Sequence, residues 1–154
     1  MDFDVHAIPE EVLDRARKEG SDPQRADFAR MIADGGEPLR CCLRDARPGE
    51  DLLLFNYEPP VPPSPYRERG AIFAHTVACD GVASTGYPAD WRDRPQVLRA
   101  YDSRGWIHPN TRVHDGSDPE GALAAVFADP DVVQVHSRNV AYGCFMFVAV
   151  RRTS

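Results

Sequence analysis

Residues 132–151 read VVQVHSRNVAYGCFMFVAVR, and the fold class turns on them. In the first half apolar and polar residues alternate. Val133, Val135 and Ser137 share one face, and Gln134, His136 and Arg138 share the other. The second half, Cys144 to Arg151, is a β-type run of aromatic and β-branched residues. The turn between them, Val140 to Gly143, fits a hairpin, whereas a parallel pair needs a crossover of a dozen or more residues. A chain that closes on such a hairpin belongs to a largely antiparallel sheet.

Working outward, the other elements fit that sheet. Phe3 to Ile8 reads as a first strand, and EEVLDRARKE, opening after Pro9 and ending at Gly20, as a helix. Asp22-Pro23 is a second helix start, with Phe28, Met31 and Ile32 on one face and Gly35-Gly36 as the stop. Leu39 to Leu43 and Asp51 to Glu58 read as strands joined by the turn DARPGE. LLLFNY is apolar on both faces and so predicts a central strand. The proline-rich Glu58 to Pro65 is a stiff surface loop. Ala71 to Cys79 reads as a strand, Asp80 to Pro95 as irregular chain, and Gln96 to Asp102 and Trp106 to Val113 as further strands. SDPEGALAAVFADP predicts a helix capped by a Ser117–Glu120 box. The expected class is α+β: one domain over 1–154, with a mostly antiparallel mixed sheet of about six to seven strands and two or three helices covering one face. Residues 1–36 form its N-terminal part and 37–154 its sheet core.

Composition narrows the function. A chain of 154 residues, 42% hydrophobic and 27% charged, can build a real core. A net charge of −6 gives no case for nucleic acid or an anionic membrane as partner. No apolar run approaches the ~20 residues of a membrane span. The acidic start MDFDVHAIPEE lacks the basic and apolar regions of a signal peptide, which predicts a cytoplasmic protein. Lys18 is the one lysine, the other basic residues being arginines, so many arginines will be plain surface. Nothing in the sequence assigns an oligomeric state.

Three segments carry a family resemblance: PLRCCLRDARPGEDLLLFNYE, SPYRERGAIFAH and VHSRNVAYGCF. In order and spacing they resemble the uncharacterised bacterial family named domain of unknown function 1203, over most of the chain from about Pro38 onward. The resemblance implies one domain of this length and no particular activity. The pattern falls on Arg40, Leu43, Asp45, Gly49, Glu50 and Tyr57. It continues on Ser64, Pro65, Tyr66, Arg67, Ile72, Phe73, His136, Asn139, Gly143 and Cys144. Many relatives carry a cysteine before the residue matching Arg40, where this chain has Leu39, and His75 is not universal among them.

Several chemistries can be weighed. Metal ligation has a tempting set in Cys41, Cys42, His75, Cys79, His136 and Cys144, but no C-x-x-C or H-x-x-x-H knuckle. Adjacent on a strand, Cys41 and Cys42 would point to opposite faces, and His75 and Cys79 would stand about 13 Å apart. The expectation is therefore no metal. Cys42 and Cys144 in apolar strands read as inert core thiols. Phosphate-loop and dinucleotide motifs are absent, so no organic cofactor is expected.

What remains is polar and basic. Arg40, Arg67 and Arg138 offer planar forks for a carboxylate or phosphate, and Ser64 and Asn139 further ligand contacts. Tyr66, His75 and His136 are the catalytic candidates, the histidines able to move a proton near neutral pH. The proline loop would fold Tyr66 and Arg67 over the face bearing Arg40, His136 and Arg138. Ser64 would equally serve as a turn cap. The expectation is an anionic small molecule in a sheltered hollow, with proton-transfer chemistry if the protein is an enzyme. The alternatives are a non-catalytic interaction module and a zinc-binding or thiol protein.

Overall fold

The computed structural model describes residues 2–152. In chain order the elements are β1 (Phe3–His6), α1 (Glu10–Glu19), β2 (Phe28–Ile32), β3 (Pro38–Leu39), β4 (Arg44–Asp45), β5 (Asp51–Tyr57) and β6 (Gly70–His75). A short 3-10 turn at Ala89–Trp91 leads to β7 (Gln96–Tyr101), β8 (Arg112–His114), α2 (Pro119–Val126), β9 (Gln134–Asn139) and β10 (Phe145–Arg151). The class is α+β in one small domain. The strands form two sheets rather than one: β1-β10-β9-β7-β8 and β2-β5-β6-β3-β4. All pairings are antiparallel except β3 with β6, where Leu39 faces Phe73.

The closing hairpin is as read, with a register shift between Phe145 and Phe147. β5 lies between β2 and β6, and Leu52 and Leu53 are wholly buried, as its two-faced apolarity requires. Helix α1 places Leu13 and Ala16 in the core of the second sheet. Helix α2 places Leu123 and Val126 in the core of the first, beside Trp91 and Phe147.

Three local readings are corrected. Residues 28–32 are a strand, not a helix. Asp22 caps a tight turn by accepting from the Gln24 N–H at 2.9 Å, and Phe28 then pairs with Phe55, their rings 6.1 Å apart. The helical spacing of Phe28, Met31 and Ile32 loses to the sheet edge because pairing satisfies the backbone there. Asp118, not Ser117, caps α2, accepting from the Gly121 N–H at 3.0 Å. Ser117 bonds Asp115, and Glu120 pairs with Arg92. The strand expected over 39–43 stops at Leu39, which decides the site.

Candidate functional site: a cysteine–histidine centre

After β3 the chain reverses. The Leu43 N–H reaches the Leu39 carbonyl at 2.9 Å, and Leu43 adopts a left-handed φ of 57°, a strained conformation for a branched residue. Arg40 to Leu43 is thus a tight turn, and the strand rule that sent Cys41 and Cys42 to opposite faces does not apply. Their Sγ atoms lie 3.9 Å apart. β6 likewise ends at His75, and the chain bends back through Thr76 and Val77, so Cys79 returns toward His75. Gly81, at φ 76°, makes the turn that follows and offers its N–H to the Cys79 sulfur.

The ligand-type atoms of Cys41, Cys42, His75 and Cys79 all fall within 4.8 Å of one another. His75 Nδ1 is 3.4 Å from Cys41 Sγ and 4.0 Å from Cys42 Sγ. Its Nε2 is 2.8 Å from Glu50 Oε2. An ionised carboxylate only accepts, so Nε2 carries a proton toward Glu50 and Nδ1, whose lone pair is free in the neutral ring, faces the sulfurs. Arg44 clasps Glu50 with two bonds of 2.9 and 2.8 Å, and the Arg47 N–H adds a third. Chiefly through Arg44, then Arg47 and His75, the Glu50 carboxyl is held far below its ordinary range. Behind the ring, Arg17 of α1 donates to the His75 carbonyl at 3.1 Å, and the His75 N–H points at Cys41 Sγ at 3.3 Å.

The two adjacent thiols differ. Cys41 donates to Cys42 and is buried, and both effects push its thiol upward. Cys42, accepting that bond near Arg44, is lowered. A cleft of about 470 Å³ opens over Cys42, His75 and Cys79, with Arg44, Arg47 and Glu50 on its walls. A second, of about 220 Å³, adjoins Cys42 on the side of Tyr87.

The other expected site residues do not gather in one hollow. Arg40 is 1% exposed and donates to the Phe145 carbonyl at 2.7 Å and to that of Pro38. Arg138 bonds the Gly143 carbonyl and shares Glu68 with Arg99. Arg67 pairs with Glu58 in solvent. Tyr66 packs edge-on against Trp106. Ser64 ties the proline loop down by donating to the Gly105 carbonyl at 2.9 Å and caps its own turn through the Tyr66 N–H. Gly105 permits that docking, since a Cβ there would meet Val61 at 2.7 Å. Asn139 holds the hairpin through its backbone, bonding Cys144 and Gly143. The proline loop reaches His136 through the Pro60 backbone, and carboxylates and carbonyls of the chain itself pair with Arg40, Arg67 and Arg138.

His136 is 1% exposed, against Tyr101 and Phe145, and its Nε2 donates to Gln134 Oε1 at 2.9 Å. Burial first, then Arg138 and Arg99, push its imidazolium down to about 3. The unfolded chain takes up this proton near pH 6.5, so between those values it binds more protons than the fold. Stability is expected to fall as the pH is lowered across this window, by up to ~1.4 kcal/mol per pH unit. Urea unfolding from pH 7 to 4 measures it, and His136→Gln is expected to flatten the dependence.

The sequence names Cys41, Cys42, Cys79 and His75 among possible metal ligands, but the strand reading set them aside and left Glu50 and Arg44 unconnected to them. The available signal was Asp80-Gly81, a turn pair that marks the strand as ended before Cys79. The remaining thiol, Cys144, lies apart, its sulfur toward the Tyr142 carbonyl. A second gathering, His108, Asp129 and Asp131, is half-exposed, and His108 is already spent on the Asn110 N–H and Asp129.

Fold and site together define a small two-sheet α+β protein whose sulfur and imidazole groups converge between a turn and a strand end. A family model described as "Protein of unknown function (DUF1203)" matches residues 36–152, and the chain belongs to that family. No curated protein and no solved structure matches it. No helix among the described residues is long and apolar enough to cross a membrane.

Proposed function

We propose that this protein binds one thiophilic metal ion, zinc(II) in the first place, through Cys41, Cys42, Cys79 and His75. One observation carries the reading: four ligand atoms within 4.8 Å of one another, drawn from two separate segments. At ~2.3 Å from sulfur and ~2.0–2.1 Å from nitrogen, a tetrahedral ion has S···S edges of about 3.8 Å and S···N edges of about 3.6 Å. The Cys41–Cys42 separation of 3.9 Å and the His75 separations of 3.4 and 4.0 Å match those edges. Glu50 on the far nitrogen supports it further, since metal-bound histidines are commonly oriented by a carboxylate in this way. Three sulfurs and one imidazole suit zinc and disfavour magnesium or calcium. Four protein ligands leave no open position, so the ion's work is to fasten the 40–43 turn to the segment after β6.

Elemental analysis of protein purified without chelator tests this. Close to one zinc per chain is expected, falling to near zero in Cys41→Ser and His75→Ala and unchanged in Cys144→Ser. Cobalt(II) titration is expected to give the intense thiolate charge-transfer and tetrahedral d–d bands. Metal-free protein that takes up neither zinc nor cobalt would overturn the reading.

A further inference from the structure

We propose that the centre is also an oxidation site: Cys42 is oxidised by hydrogen peroxide, Cys79 closes a disulfide onto it, and the metal leaves. This rests on the metal reading of the same four residues and adds its regulation. Cys41 is 3% exposed and shielded, whereas Cys42 is half-buried and borders both clefts, the larger of which a small oxidant enters freely. Cys79 also lines the larger cleft, but Cys42 alone of the cysteines borders both, which makes it the sulfur that peroxide meets first.

The resolving partner follows from covalent geometry. Consecutive Cα atoms stand ~3.8 Å apart, below the ~4.4–6.8 Å that a disulfide spans, so Cys41 is a poor partner despite its nearness. Cys79 comes from a different segment, and its sulfur lies within 4.8 Å of Cys42. It sits in the bent chain after β6, outside helix and strand, where about 2–3 Å of approach breaks no ladder. Cys144 has no cysteine in this group to resolve it, so its oxidation would give no disulfide within the chain.

The steps balance. Cys42 thiolate attacks a peroxide oxygen. The S–O bond forms, the O–O bond breaks, and hydroxide leaves and is protonated by solvent. Sulfur loses two electrons and the peroxide gains them. Cys79 thiolate then attacks Cys42 Sγ. The S–S bond forms, the S–O bond breaks, and a second hydroxide leaves as water. Two of four ligands are gone, and Cys41 with His75 alone do not retain the ion.

The test uses full-length protein whose zinc content is measured first, so the metal reading is judged before any oxidant is added. Hydrogen peroxide is then titrated in, with released zinc followed by a chromogenic chelator and the cysteines mapped by peptide mass. The expected result is a Cys42–Cys79 bridge, lighter by two hydrogens, formed in step with one zinc released per chain and reversed by thiol reductant. In Cys79→Ser a dione probe is expected to label Cys42 as sulfenic acid. Zinc retained through oxidation, Cys144 oxidised first, or a bridge through Cys41 would each overturn the proposal. Should the chain prove metal-free, a Cys42–Cys79 bridge still upholds the oxidation site, and its absence refutes it.

Discussion

Arg40→Ala is expected to be the most damaging substitution outside the hydrophobic core, lowering stability by about 3 kcal/mol. Its guanidinium is buried, and burial lowers it only to about 10, so it is charged at neutral pH. It meets no carboxylate among the described residues and donates instead to the carbonyls of Phe145 in β10 and Pro38 in β3. Its own backbone bonds Phe73 of β6 and, through the carbonyl, Ile8. One residue thus ties both sheets and the approach to α1. Each charge-assisted bond is worth about 1.5–3 kcal/mol, and truncation also removes the donor from the buried Phe145 carbonyl and the half-buried Pro38 carbonyl. Relief of the buried charge offsets part of that loss, which is why the net figure lies below the sum.

For a domain of this size that loss lowers the melting temperature by roughly 6–12 °C. Arg40→Met fills much of the volume without restoring a donor. If it recovers most of the stability, packing rather than the carbonyl bonds was the cause. A ligand-binding role for Arg40 predicts the reverse pattern, an unchanged melting temperature with altered ligand response.

Stripping the metal is expected to have an effect at least as large. An ion that binds the fold and not the unfolded chain contributes about 4 kcal/mol when free ion stands at ~1,000 times the dissociation constant. Chelation should then lower the melting temperature by roughly 8–16 °C, with excess zinc restoring it. The loss should be local at first, because the ion joins the Arg40–Leu43 turn to Cys79 while both sheets keep their ladders. Hydrogen exchange is expected to rise at residues 40–45 and 76–81 well before β9 and β10. A melting temperature unmoved by chelator, in protein shown to hold zinc, would mean that the ion does not fasten these segments.

Much of the architecture was legible in the residues alone. The alternation of 132–139, the turn at 140–143 and the apolar run at 52–57 each bury one face or two, and burial follows directly from pattern. Helix α1 was legible for the same reason, with Leu13 and Ala16 spaced to share a face. Residues 28–32 misled because Phe28, Met31 and Ile32 also satisfy a helical period. Only the neighbouring β5, whose residues pair with these across 19 to 27 positions of sequence, decides between the two.

The site divides along the same line. His75 was identified from the sequence as a proton-transfer candidate, and the thiols were noticed and set aside by a rule that holds only where the strand continues. By itself the sequence determined an α+β domain, its closing hairpin and a chain without phosphate-loop or dinucleotide motifs, because these rest on local period and composition. Tertiary structure alone decided that Arg40 and His136 are interior residues and that three sulfurs meet one imidazole. Those facts depend on where two strands stop and the chain turns back, and the stops are set by contacts between segments more than thirty positions apart.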